Sequence, residues 1–407
     1  MTYEQLKEVL LLHGQMHVLQ WWDELDEEGK KHLSKQIEHI DWGEISLSGN
    51  GAVEAHGEIL PMQGLSLSDI AARREEFYAV GKEALRAGKV AAVLLAGGQG
   101  TRLGFDGPKG ACDIGVTKPL YIFEQLIRNL QDVTLSCGAP VPLLIMTSEL
   151  NDGQTRAFFE QHDYFGYPSE DVYFFRQEMA PVVDEDGNLL LSSKDSLSLS
   201  PNGNGGWFIS LKRAGLVEKM AARGVEWFNV FAVDNVLQRI ADPVFVGATI
   251  LSGMTSGAKF VRKAYPEERV GVLCLEDGRP NIIEYYELDE KMANLRDEKG
   301  GLVYSYGVIL NYLFRLDMLE SIVSMSLPVH VAHKKVPYLG RDGKKVTPDK
   351  ENGYKFEALI LDMVRQAQTC LPFEIDRERE FAPIKNKTGI DSVESARELL
   401  LKNGVRI

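Results

Sequence analysis

The sequence predicts an α/β protein with a mainly parallel central sheet, a helical N-terminal segment and a small C-terminal domain. Two observations predict it. From Val90 onward, short apolar runs alternate with amphipathic helical stretches, the pattern of βαβ units with helices on both faces of a sheet. The first run, Val90 to Ala96, breaks abruptly into Gly97-Gly-Gln-Gly100. Ligands of such sheets sit at the carboxyl ends of the strands, where this turn lies.

A chain of 407 residues can bury a large core and divides into two or three domains. We read residues 1–88 as the helical segment, 89–330 as the main domain and 331–407 as the small C-terminal domain. The 44% apolar and 26% charged content is that of a globular protein, and the formal net charge of −14 disfavours nucleic acid or an anionic membrane as the main partner. Cys112, Cys137, Cys274 and Cys370 are widely scattered without metal-ligand spacing, as expected of reduced, buried thiols in the cytoplasm. Glu4, Lys7 and Glu8 interrupt the N-terminal leucines, unlike a secretory signal, and no apolar run reaches ~18 residues.

In chain order, Leu6, Val9, Leu10 and Leu12 recur at helical spacing, Val18-Leu19 and Trp21-Trp22 continue it, and His32 to Ile40 form another amphipathic piece. His13, His17 and His32 are lone histidines, read as surface or packing residues. Gly49-Asn50-Gly51 and Gly57 mark a loop, with Pro61 nearby. A third helix is expected from Leu67 to Gly88, with Ser68 as its N-cap.

The Val90–Ala96 run reads as a buried parallel strand. Gly97, Gly98 and Gly100 lack Cβ, so the backbone there can turn sharply and bring N–H groups against a phosphate. Arg102 and Lys109 add positive charge just beyond. The stretch is not the dinucleotide fingerprint, because Leu103 stands where a third glycine belongs, and no Gly-Lys-Ser/Thr follows as in a P-loop. An ordinary turn also uses glycines after a strand; the two cations favour nucleotide binding.

A helix near Leu120–Leu130, a strand at Val141–Met146, a helix around Gln154–His162 and a strand at Val172–Phe175 follow. Phe175-Arg-Gln-Glu-Met-Ala-Pro181 reads as a strand end with a polar tip. Ser200-Pro-Asn-Gly-Asn-Gly-Gly206 is a solvated loop or, since an apolar helix follows, a set of N–H groups facing a ligand. Trp227 to Val233 is an apolar strand that ends in Asp234, a carboxylate that either meets Mg²⁺ and phosphate or caps the next helix. Lys259–Lys263, Val270–Leu275 and Ile282–Leu288 read as strands, the last with Glu284 facing solvent. A lysine-rich segment starts at Val331, with a helix near Glu357–Gln368 and another from Ser392 to Leu401.

Leu95-Ala-Gly-Gly-Gln-Gly-Thr-Arg-Leu-Gly104 with Pro108-Lys109-Gly110 resembles the signature of UTP:sugar-1-phosphate uridylyltransferases, and among them the UDP-N-acetylhexosamine pyrophosphorylases. The likeness continues through Phe175–Pro181, Pro201–Gly206, Val233-Asp234-Asn235 and Ala241-Asp-Pro243. It implies a Rossmann-like nucleotidyltransferase fold and transfer of UMP from UTP to a sugar-1-phosphate, N-acetylglucosamine-1-phosphate first among them. Residue by residue, it implies UTP contacts at Leu95, Ala96, Gly97, Gly98, Lys109, Gln177, Gly203, Asp234 and Lys355. Gln177 and Gly203 would meet the uracil. Sugar contacts fall at Asn204, Glu284, Tyr285 and Lys385, and Asp234 is the Mg²⁺ ligand. Arg102, Lys109 and Lys385 would neutralise the charge of the reacting phosphates.

The chain also departs from the family pattern. Asn202 replaces an aspartate, Glu178 a glycine, and Ser305 and Val308 stand where the family has two asparagines, the second of which binds sugar hydroxyls. Valine offers a hydroxyl no hydrogen bond, so either Asn311 and its neighbours compensate or the sugar is glucose- or galactose-1-phosphate. A nucleotide-sugar binding protein without turnover is the remaining alternative.

Overall fold

The computed structural model describes residues 1–45, 56–323 and 327–407, so the Gly49–Gly51 turn lies outside the described residues. The chain forms two compact units. The larger comprises His56–Gln177, Trp207–Ser326 and Leu361–Ile407; the smaller comprises Met1–Ala55, Glu178–Gly206 and Leu327–Ile360. This interleaving differs from the three consecutive segments expected above.

Pairing between distant stretches explains the difference. In the smaller unit Gly353–Glu357 pairs antiparallel with His330–Lys334 and with Val183–Asp184. Leu6 and Leu10 of helix Tyr3–Leu12 and Leu33 and Ile37 of helix Glu27–Glu38 share one core with Val183, Leu189, Leu197 and Phe356. Helix Arg74–Arg86 instead packs on Pro243–Ser252 in the larger unit. The N-terminal helices therefore serve two cores.

The larger unit holds a ten-stranded sheet. Its heart is parallel as expected: Trp227–Ala232, Val90–Leu95, Leu143–Thr147 and Val172–Arg176 lie in that order, all parallel. Val90–Leu95 and Leu143–Thr147 are buried at every residue, which is why they read as unbroken apolar runs rather than alternating ones. Beyond Trp227–Ala232 the sheet turns antiparallel, through Tyr306–Arg315, Val272–Glu276 and Ile59–Pro61.

The chain proceeds from Val90 through Leu143 to Val172 on one side, then returns to place Trp227 on the other side of Val90. That reversal is a topological switch point, and two loops diverge there from the carboxyl ends of neighbouring strands. Ala232 stands opposite Leu95 in the register. Gly97 and Asp234 are thus brought close by the sheet itself.

Three local expectations need correction. The N-cap of helix Leu67–Ala72 is Ser66, not Ser68: Ser66 Oγ accepts from Asp69 N, while the Asp69 carboxylate accepts from Ser66 N at 2.9 Å, a capping box. The expected single helix is two, because Arg73 (φ −117°, ψ 15°) leaves helical dihedrals before Arg74–Arg86 begins. The strand expected through Leu288 is Arg279–Ile283. Beyond it Glu284 O accepts from Glu287 N and Leu288 N, which closes a turn, so Glu284 follows the strand rather than lying on it.

Candidate functional site

The glycine loop folds back on its own start. Lys109 N donates to Gly98 O at 3.1 Å and Gly100 N to Gly107 O at 2.9 Å. Gly98 and Lys109, eleven residues apart in sequence, thereby become neighbours. Among the described residues, the backbone N–H groups of Gly97, Gly98 and Gln99 have no acceptor. Nothing stands within 4 Å of the Cβ position of Gly98. Three consecutive unengaged N–H donors at a strand end, with open space beside Gly98, have the chemistry that suits an anion.

Neighbours hold this loop in place. Asn151, wholly buried, donates from Nδ2 to Ala96 O at 2.9 Å and Gly98 O at 3.3 Å, and accepts from Ser148 N at 2.8 Å. Ala96 N donates to Met146 O. Leu95 and Ala96 are buried, and both polar backbone groups of Ala96 are engaged.

Lys109 Nζ makes an ion pair with the Asp234 carboxylate, with Lys109 nearly buried and Asp234 39% exposed. Asp234 follows Trp227–Ala232 and does not cap the next helix; Asp242 caps Pro243–Ser252 by accepting from Val244 N. On its other side Asp234 O accepts from Ile384 N at 2.8 Å, and Asn235 Oδ1 accepts from Ala382 N at 2.8 Å. The Phe381–Asn386 stretch is thus laid along the Asp234 loop, with Lys385 next to the anchored Ile384. Lys385 Nζ meets Asp391 Oδ2 at 3.1 Å.

Gln177 closes the other flank. Its N–H donates to Thr147 O at 2.8 Å, and a Cβ added to Gly97 would stand 3.0 Å from Gln177 Oε1. The residue before it, Arg176, is anchored on Asp152, whose buried carboxylate also accepts from Thr147 Oγ1 at 2.6 Å and from Arg156 at 3.0 Å. Burial pushes the Asp152 carboxyl up, but these hydrogen bonds outweigh it and hold it below the usual carboxylate range. Asn151 and Asp152 escape sequence reasoning; the only signal is their place one turn past the end of a buried strand.

Arg102 lies on the exposed turn Thr101–Leu103 and makes no ion pair with a described residue. Glu284 and Tyr285 follow the Arg279–Ile283 strand, with Tyr285 ring-edge against Tyr286 at 5.2 Å. Asn311 does not stand in for the missing asparagines: it is wholly buried, accepting from Asn229 Nδ2 at 2.8 Å and donating to Gln238 Oε1 at 3.3 Å. Ser305 is buried too, its Oγ facing Arg262 at 3.4 Å. Half-buried Val308 donates its N–H to Gly271 O.

In the smaller unit, Gly203 has φ +85° and its Cβ position lies 2.2 Å from Ala358 O, so only glycine fits. Gly205 N donates to Ala358 O, and Ala358 N to Asn202 O, both at 2.8 Å. Gly205 and Gly206 are buried, which corrects the solvated-loop alternative. Asn204 Oδ1 accepts from Ile360 N at 2.9 Å, leaving Nδ2 for a ligand. Lys355 lies on Gly353–Glu357 opposite Ala332, half-buried and without an ion-pair partner among the described residues.

Burial pushes the Cys274 and Cys370 thiols up to about 12, which disfavours a thiolate at either. Backbone donors, lysines and one carboxylate suit phosphates. The family model described as UTP–glucose-1-phosphate uridylyltransferase matches residues 29–402.

The chain belongs to that family.

Within it, the chain is 37% identical to the human UDP-N-acetylhexosamine pyrophosphorylase-like protein 1, over 97% of this chain and 83% of that protein. It is 34% identical to the Saccharomyces cerevisiae UDP-N-acetylglucosamine pyrophosphorylase, over 98% and 89% respectively. The solved Trypanosoma brucei uridine diphosphate N-acetylglucosamine pyrophosphorylase, in complex with an inhibitor, superposes with a TM-score of 0.81. That match has 27% identity and covers 97% of this chain and 83% of that one.

Nucleotidyltransferases of this family generally use a divalent metal. Among the described residues, no group of three or more His, Cys, Asp or Glu could hold one. A single carboxylate such as Asp234 is compatible with Mg²⁺, which takes one or two protein carboxylates and completes its shell with substrate phosphates and water. The Asp234 carboxylate is partly exposed and pairs with the Lys109 ammonium.

Proposed function

We propose that this chain makes UDP-N-acetylglucosamine and pyrophosphate from UTP and N-acetylglucosamine-1-phosphate. The enzyme class follows from family membership. The observation that carries the assignment to this site is the row of unengaged N–H groups at Gly97, Gly98 and Gln99, beside Lys109 and Asp234. A phosphate oxygen of the sugar-1-phosphate attacks the α-phosphorus of UTP in line, and the bond to the bridging oxygen of pyrophosphate breaks.

Such a transfer needs positioning and neutralised charge rather than a covalent intermediate. The glycine-loop N–H groups receive the UTP phosphates, and Lys109 and Arg102 balance the charge that builds on pyrophosphate. Lys385 screens the sugar phosphate from the nucleotide, two anions that would otherwise repel at contact distance. Mg²⁺ held by Asp234 would add further neutralisation between the phosphates. Gln177 offers the uracil edge both a donor and an acceptor. Glu284 and Tyr285 are proposed for the sugar, as are Asn204 Nδ2 and Lys355 for substrate and Gly203 for the base. Four free, buried cysteines fit a reducing cytoplasm.

The same reaction on glucose- or galactose-1-phosphate is a second reading, favoured by Val308 and by the burial of Asn311. Pyrophosphate release with UTP, ATP, CTP and GTP tests the nucleotide assignment. Buried polar groups penalise a base that leaves them unpaired, so UTP should be used far better than the others. Comparable use of CTP or ATP would remove Gln177 from base recognition.

A further inference from the structure

The larger unit contains a cavity of about 600 Å³ lined by none of the residues proposed above for substrate or metal, a size that suits a small organic ligand. Leu67, Ile70, Val244, Phe373 and Ile375 give it an apolar lining. Gln125 gives it a fixed acceptor. Asn129 Nδ2 donates to Val236 O at 2.8 Å and Gln238 O at 3.1 Å, so its Oδ1 faces the other way and accepts from Gln125 Nε2 at 2.7 Å. That fixes the orientation of the Gln125 amide. Gln125, 4% exposed, is left with its Oε1 lacking any partner among the described residues.

The carboxylates around the cavity are mostly engaged. Glu374 meets Arg262 at 3.0 Å, Asp242 accepts from Val244 N and meets Lys259 at 3.3 Å, and Glu380 meets Lys259 at 2.7 Å. Asp376 accepts from Glu378 N, and Asp132 is exposed. The guanidinium groups keep capacity. Arg74 makes no ion pair with a described residue, and Arg239 Nε lies 3.3 Å from Asp242 yet lacks a hydrogen-bond acceptor. The unused acceptor, the unpaired Arg74 and the Arg239 Nε without a hydrogen-bond acceptor together describe a ligand with a donor at one point and an anion at another.

We propose that this cavity is an effector site for a small organic anion with an apolar body and one N–H or O–H group. The anion faces Arg74 and Arg239, the body lies against Ile70 and Phe373, and the donor meets Gln125 Oε1. The site communicates with Asp234 through short covalent and hydrogen-bonded paths. Leu237, Gln238 and Arg239 line the cavity and lie three to five residues beyond Asp234. Glu380, also in the lining, accepts at its O from Asn235 Nδ2 at 2.7 Å and leads into the stretch whose Ile384 holds Asp234 O. Occupancy therefore shifts the two loops that carry Asp234 and Lys385.

4-Hydroxyphenyl phosphate, titrated calorimetrically into the full chain, is the probe, with its phosphate as the anion, its ring as the apolar body and its phenol O–H as the donor. It should bind equally with and without saturating UTP and Mg²⁺, and change kcat without competing with either substrate. Arg239→Gln should weaken binding roughly tenfold, the loss of one charged hydrogen bond, and abolish the effect on kcat while leaving turnover without the probe intact. Should Arg239→Gln fail to fold, the exposed Arg74→Gln carries the same comparison. Absence of saturable binding, displacement by UTP, binding indifferent to both arginine variants, or binding without a change in kcat would each overturn the proposal.

Discussion

Asn151 ties the glycine loop to the sheet, its Nδ2 donating to Ala96 O at 2.9 Å and to Gly98 O at 3.3 Å from a wholly buried side chain. The loop's unengaged N–H groups point where they do because the Ala96 and Gly98 carbonyls are held from behind. Asn151→Ala should leave buried backbone groups unpaired, including Ser148 N, and destabilise by about 1–3 kcal/mol. It should also raise KM for UTP by loosening the loop. Urea unfolding and steady-state kinetics check the two effects. Unchanged stability and KM would mean the clamp is dispensable.

Lys109 stands between the glycine loop and Asp234. Lys109→Ala should lower kcat ~10²-fold or more, the range for removing one preorganised donor to developing charge. Thermal unfolding should move little, because its partner Asp234 is partly solvated and such pairs contribute modestly. Near-normal turnover in the folded variant would remove Lys109 from the mechanism.

Acid should destabilise the larger unit through two carboxylates. Burial pushes Glu276 up, but hydrogen bonds from Gly57 N and His56, with Arg365 nearby, hold its carboxyl below the ordinary range. Asp152 behaves alike. With folded pKa values depressed, the unfolded chain binds protons first. The stabilisation is complete above the unfolded values, and is lost as pH falls through about 4 towards the folded ones. Urea midpoints measured down to about pH 3 should fall, and fall less steeply in Asp152→Asn. A variant with the wild-type slope would take Asp152 out of this account.

What the sequence makes legible follows from how each feature is encoded. Val90–Leu95 and Trp227–Ala232 are buried almost throughout, so the apolar runs, their ends and the residues just past them are readable. The strand Ile282–Leu288 is misread because apolar and aromatic residues continue past Ile283 into a turn. Ser66 is mistaken for loop because Ser68 competes as a cap one turn-position later. Contacts that join distant segments leave no local trace. The Asn151 clamp, the amide cluster of Asn229, Asn311 and Gln238, and the laying of Ile384 on Asp234 all belong to that kind. So does the interleaving of the two units, which depends on Gly353–Glu357 pairing with Val183–Asp184.

Val308 stands where the family resemblance implies an asparagine contact to the sugar, and Asn311 is wholly buried. Val308→Asn should raise preference for the amino sugar by up to about tenfold, the worth of a neutral hydrogen bond of about 0.5–1.5 kcal/mol. Kinetics of the variant with both sugar phosphates measure it. A preference that stays the same would show that the strand position faces no sugar.

The central claim is that N-acetylglucosamine-1-phosphate is the sugar substrate. Its most direct test is the ratio of kcat/KM for N-acetylglucosamine-1-phosphate over glucose-1-phosphate, measured with UTP and Mg²⁺ on the unmodified chain. A ratio above one, with measurable use of glucose-1-phosphate, is the predicted result. A ratio below one would contradict the assignment and make glucose-1-phosphate the substrate.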